Sequence, residues 1–154
     1  VGQVNLFDST SNEYYITGVQ LEVGDKATPF EHLTYGEELA LCQRYFQQVT
    51  DGGAACPIMN ATYYADTGIY GIIHFPVQMR ADPTLEQTGG TDYFRIFRSG
   101  AADNFNSFVG IHGSSKDRIT IYANSSVGVS GSAGQAGWVE ADSASAKFAL
   151  TAEL

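Results

Sequence analysis

Apolar and polar residues alternate from Tyr14 to Val23, with Val19, Leu21 and Val23 on one side and Gln20 and Glu22 on the other. That period of two predicts a strand. Gly24 to Phe30 interrupts it: Gly and Asp favour a turn, and Pro29 biases Thr28 toward extended backbone. The period then lengthens. Tyr35, Leu39, Cys42 and Phe46 recur at spacings of 4, 3 and 4, which predicts a short helix over about residues 35 to 43. Thr34 and Glu37 have capping-box spacing, in which a hydroxyl accepts from an amide one turn on and a carboxylate reaches back. Glu37 and Glu38 suit the positive end of the helix dipole, and Arg44 lies near the negative end.

After the helix, short apolar runs alternate with turn residues. Arg44 to Val49 ends at Asp51-Gly52-Gly53. Ala61 to Ala65 and Ile69 to Phe75 read as a hairpin around Asp66-Thr67-Gly68. Further strands are expected at Val77 to Met79, Pro83 to Gln87, Tyr93 to Arg98, Phe105 to Ile111, Ile119 to Ala123, Gly137 to Ala141 and Lys147 to Leu154. Tyr93, Arg95 and Phe97 share one face of their strand, and Phe94, Ile96 and Arg98 the other. Such spacing, with one helix, predicts an all-β antiparallel sandwich or barrel; a parallel sheet would need helices between its strands.

Composition narrows the function classes. The 154 residues suffice for one compact domain, and 17 Gly suit many tight turns. Seventeen acidic residues against eight basic give a formal charge of -9. That balance argues against phosphate-directed binding of nucleic acid and against anionic membrane surfaces. No run approaches the roughly 20 apolar residues of a membrane span, and no leader is visible. The chain starts at Val1 in strand-like sequence (VGQVNLF), as expected of a C-terminal piece of something longer. Cys42 and Cys56 form no CxxC motif.

No catalytic motif stands out. His32, His74 and His112 lie in different segments without metal-ligand spacing, and the sequence holds no GxSxG, P-loop, GxGxxG or HExxH. Neither enzyme activity, a metal nor a cofactor is expected. The polar loops at 88–92, 99–104, 112–118 and 124–135, flanked by aromatics, fit binding better. Sugars are held by aromatic faces together with Asp, Asn and Arg side chains. The candidates are Trp138, which follows a long Gly/Ser loop, then Tyr122, Asn104, Asp103 and Asp92. Arg95, Arg98 and Asp92 have an alternative reading as a ladder of cross-strand ion pairs.

ITGVQLEVG, ATPFEH and YGEELALCQRYF, across residues 15 to 46, closely resemble a module near the C-terminus of bacteriophage tail-fibre and other virion fibre proteins. HFPVQMRADPTL (74 to 85) and FALTAEL (148 to 154) continue the resemblance. It implies that residues 1–30 are the strand and linker remnant of a preceding jelly-roll-like or neck region, and that 31–154 form a β-sandwich tip domain. It implies a homotrimer, with Tyr35, Leu39, Cys42 and Phe46 at the threefold axis; their packing on the chain's own sheet is the alternative. It implies a virion protein, assembled in the host cytoplasm with free thiols, attached to other virion proteins through its N-terminal side. The expected function is receptor binding during attachment to the host, through a cell-surface glycan. The alternatives are a purely structural fibre or trimerisation domain, and a carbohydrate-binding module of a polysaccharide-degrading enzyme.

Overall fold

The structure, a computed structural model, describes Ser11, Glu13 and residues 15–153. The strand-like start at residues 1–7, Tyr14 and Leu154 fall outside the described residues. The chain divides into two compact units, Val1–Thr34 and Tyr35–Leu154.

In the first unit, residues 15–23 form no strand, contrary to the alternation of their side chains. A strand needs a partner edge for its amides and carbonyls. Side chains organise this segment instead. The Glu22 carboxylate accepts from the Thr28 amide at 2.5 Å and from its hydroxyl at 2.6 Å. The Gln20 carboxamide donates to Thr28 Oγ1 at 3.2 Å and accepts from the Glu31 amide at 2.8 Å. The Thr28 hydroxyl, followed by the Thr28 amide, holds the Glu22 carboxyl below its ordinary pKa. These bonds fold the bend at Gly24-Asp25-Lys26 back on itself.

The second unit opens with α1 (Tyr35–Gln43), where the spacing predicts it; none of its residues is buried. Ten strands follow among the described residues: β1 (Phe46–Asp51), β2 (Cys56–Ala65), β3 (Gly68–His74), β4 (Thr84–Thr88), β5 (Phe94–Arg98), β6 (Ala101–Phe105), β7 (Gly110–Ser115), β8 (Arg118–Asn124), β9 (Ala136–Ala141) and β10 (Lys147–Thr151). They make two antiparallel sheets, ordered β1-β10-β4 and β6-β5-β9-β2-β3-β8-β7. Two expectations are corrected. The single strand expected from Phe105 to Ile111 is the end of β6, a crossing at residues 106–109, and the start of β7; Val77 to Met79 forms no strand. The AADNF of β6 lacks the apolar alternation that marks a strand, because its inward positions before Phe105 are the small Ala101 and the polar Asp103.

The crossing shows that the larger sheet is curled. Flat, its two edge strands would lie about 29 Å apart, six spacings of roughly 4.8 Å. From Phe105 to Gly110 the chain reaches at most about 19 Å. The edges approach each other, and the residues after β8 reach across to the β6 edge: Asn106 donates its amide to Val127 O at 2.7 Å, and Ser130 donates to Asp103 Oδ2 at 2.9 Å. Gln87 on β4 fixes the crossing from the smaller sheet. Its carboxamide donates to Phe108 O at 2.7 Å and accepts from Phe108 N at 2.9 Å.

One core lies between the sheets. Phe108 meets Phe94, Phe105 and Phe148 with ring centroids 5.0, 5.3 and 5.1 Å away. Ile69, Ile96, Ile119, Ile121, Val139 and Leu150 complete it with no exposure. Inward residues alternate with outward ones along β2, β3, β8 and β9, so the sequence periodicity defines a second, outward face of the larger sheet.

Candidate functional site

The outward face holds the candidate site. Trp138 on β9 pairs across the ladder with Phe97 on β5 and Asn60 on β2. The Phe97 and Trp138 rings stack with centroids 5.0 Å apart and planes 25° from parallel. Trp138 is 51% exposed, and its indole N–H donates to Glu140 Oε2 at 3.2 Å. That bond orients the indole and leaves one face open. A depression of about 470 Å³ lies over the pair, lined also by Asn60, Thr62 and the 98–101 turn.

The charges beside the pair close on one another. Arg95 reaches Glu140 and Asp142, each at 2.6 Å, and its guanidinium lies 4.6 Å from the Phe97 ring centre. Asn104 donates to Asp142 Oδ2 at 3.4 Å. A strip of Asn104, Asp142, Arg95 and Glu140 therefore leads to Trp138. Arg98 also borders the depression, but its Nη atoms donate to Gln135 Oε1 at 2.9 Å and Ser130 O at 3.1 Å. The ladder of Arg95, Arg98 and Asp92 is thus corrected: Arg95 pairs with Glu140 and Asp142, while Arg98 packs over the Tyr63 ring, 5.2 Å from its centre.

The other sequence candidates are spread. Tyr122 on β8 shares the outward face and stacks on Tyr70 at 5.6 Å, but stands three strands from Trp138. Asp103 points the opposite way: its carboxylate accepts the Tyr63 hydroxyl at 2.6 Å and the Ser130 amide. Burial first, and the Asp103 bond second, push the Tyr63 phenol up to about 12. Asp92 sits in the turn before β5 with φ 57°, and its amide donates to Asn106 Oδ1 at 3.0 Å. Trp138 and Asn104 are thus linked through one polar strip, whereas Tyr122, Asp103 and Asp92 are elsewhere.

The Gly/Ser loop before Trp138 is pinned rather than slack. Gly131 donates to Asp66 O at 2.6 Å, Ala133 to Asp66 Oδ1 at 2.8 Å, and Gly134 to Tyr63 O at 2.8 Å. Gly131 lies so close to the Tyr63 ring that an added Cβ would stand 2.2 Å from it. The strand after this loop therefore presents Trp138 from a fixed frame.

Reading the loops missed Phe97, Asn60 and Tyr70. The signal lay in the strands. Asn60, Thr62 and Tyr64 alternate with Met59, Ala61 and Tyr63, and the outward set carries the polar and aromatic groups. No three or more His, Cys, Asp or Glu side chains cluster as a metal site among the described residues.

The helix seam is a second exposed feature. Tyr35 is 80% exposed, Leu39 and Phe46 are each 40% exposed, and Cys42 is open. Leu39, Cys42 and Phe46 border an apolar hollow with Val49, Ile73 and Pro76.

Comparisons of the chain with protein-family models, with curated proteins and with solved structures find no match.

Proposed function

We propose that this chain is the receptor-binding tip of a virion fibre and attaches to a host-surface glycan through the outward face around Trp138. The observation that carries the binding reading is the Phe97–Trp138 stack: an oriented, half-exposed indole beside amide and hydroxyl side chains on a rigid sheet. A pyranose ring offers C–H groups on one face and hydroxyls at its rim, and this arrangement matches both. The fibre reading is supported by the resemblance over residues 15 to 46 and by the β-rich architecture that follows.

The tip is proposed to be a homotrimer. Tyr35 and Cys42 are open and Leu39 and Phe46 partly exposed within the chain, as expected of a seam that meets other copies. Three copies on one fibre would convert weak single-sugar contacts into useful avidity.

A glycan array probed with the assembled chain tests the reading. Reproducible binding supports attachment. Silence across the array favours a purely structural fibre domain, the reading that an exposed seam would serve equally well.

A further inference from the structure

A second group of rings occupies the same outward face, two to three strands from Trp138. Tyr70 on β3 and Tyr122 on β8 face each other across the ladder and stack with planes 19° from parallel. His112 stands edge-on to Tyr70 at 4.9 Å and 90°, and Tyr64 at 4.7 Å and 73°. Neighbours on three sides hold the Tyr70 ring in place. Beside it is a second depression of about 370 Å³, lined by Asn60, Thr62, Tyr70, Ile72, His74 and Thr120.

Asn60 and Thr62 on β2 line both depressions. β2 is the strand between β9 and β3. Trp138 pairs with Asn60, and Tyr70 pairs with Thr62. The two aromatic platforms are therefore offset by two strand spacings across the sheet and two residues along it, about 12 Å on the diagonal. One sugar cannot touch both; a chain of three or four units can.

Charge selects among such chains. Arg95 is taken up by Glu140 and Asp142, Arg98 by Gln135 and Ser130, and the whole chain carries -9. The face therefore gives an acidic polymer no counter-charge near Trp138 and offers rings, an amide and hydroxyls.

We infer that Tyr70, backed by the stacked Tyr122, forms a second sugar subsite, joined to the Trp138 subsite through Asn60 and Thr62, and that the ligand is a neutral linear oligosaccharide lying across β9, β2 and β3. This rests on the glycan reading above and adds the length, charge and course of the ligand.

Calorimetry on the assembled full chain tests it, with neutral linear gluco-, galacto- and manno-oligosaccharides of one to five units as probes. Affinity for the series that binds rises by at least about tenfold between two and four units, the equivalent of one further modest contact. Tyr70→Ala lowers affinity for the four-unit chain at least about tenfold more than for one unit. Ile72→Arg, at a half-exposed position outside the core, produces the same length-dependent loss by obstructing the path. Trp138→Ala weakens every length.

If Trp138→Ala weakens binding while both Tyr70→Ala and Ile72→Arg leave the four-unit affinity as it was, the second subsite is wrong and the glycan reading stands. If no probe binds the parent chain while the array records binding of another glycan, the neutral linear ligand is wrong and the glycan reading stands; if the array is silent as well, both fall. If Tyr70→Ala instead changes the assembled mass by light scattering, this face lies between copies and the inference is overturned.

Discussion

Gly137 lies against Phe97: a Cβ added at Gly137 would stand 1.8 Å from the Phe97 carbonyl oxygen. β5 and β9 approach this closely because residue 137 has no side chain, and the approach brings the Phe97 and Trp138 rings into their stack.

Gly137→Ala is therefore expected to force the two strands apart. The cost is roughly 1–3 kcal/mol or more, in the range of overpacked interiors. Chemical denaturation measures it, and the near-ultraviolet dichroism of the indole should weaken in the same variant. An unchanged midpoint and spectrum would show that the strands adjust without loss.

Gln87 bonds both backbone groups of Phe108, at the point where the chain crosses from one edge of the curled sheet to the other. Gln87→Ala leaves a donor and an acceptor without that partner beside the core. A loss of about 2–4 kcal/mol is expected, one or two kcal/mol for each group stranded. Gln87→Glu should recover part of it, since a carboxylate still accepts from Phe108 N. Equal stability of Gln87→Ala and the parent would show that water takes over both bonds.

The Tyr63 phenol is raised to about 12 by burial and by the Asp103 carboxylate. An unfolded tyrosine ionises near 10. The folded chain therefore holds the Tyr63 proton more tightly than the unfolded chain does. The stability this confers is complete below about pH 10 and declines as pH rises from there toward 12. Tyr63→Phe removes that part of the alkaline decline and the hydrogen bond together. Denaturation midpoints of both chains, measured from neutral pH to strong alkali, should converge as pH rises. A constant gap across that window would contradict the assignment.

The assembly prediction concerns the helix. Leu39 is partly exposed beside Cys42 and Phe46, and no residue of α1 is buried. Leu39→Asp places a charge in the proposed seam and should give monomers or insoluble protein. Light scattering of the parent should give three times the chain mass. A monomer mass for the parent across micromolar concentrations would contradict the trimer.

The sequence reveals most where one face is buried. β8, β2 beyond its bulge and β3 after Gly68 alternate, so their existence and their inward residues can be read directly; β9 departs from the pattern, since Glu140 is buried between Val139 and Ala141. The Tyr35–Gln43 helix is legible from its spacing and acidic first turn. β6 is hidden because two of its inward positions are the small Ala101 and the polar Asp103, and the Phe105 to Ile111 run conceals a crossing because Phe108 enters the core without belonging to a strand. The alternation at residues 15–23 misleads, since periodicity records a preference for a strand and not the presence of an edge to pair with.

The candidate site is half legible for a related reason. Trp138 stands out by residue type alone. Phe97 and Asn60 become its neighbours through the order of β5, β9 and β2, which joins segments far apart in the chain. Asp103 lies in a run that reads as a polar loop; its strand turns it inward to Tyr63.

Trp138 is the single tryptophan in the chain, so fluorescence excited at the red edge of indole absorption, where the nine tyrosines do not absorb, reports on the proposed site alone. The most direct test titrates the assembled chain with a glycan found to bind on the array, while following Trp emission and its quenching by acrylamide. The account predicts a saturable blue shift and protection from quenching, with a midpoint equal to that from calorimetry. Calorimetric binding of the same glycan with no change in emission or quenching would contradict the placement of the site at Trp138.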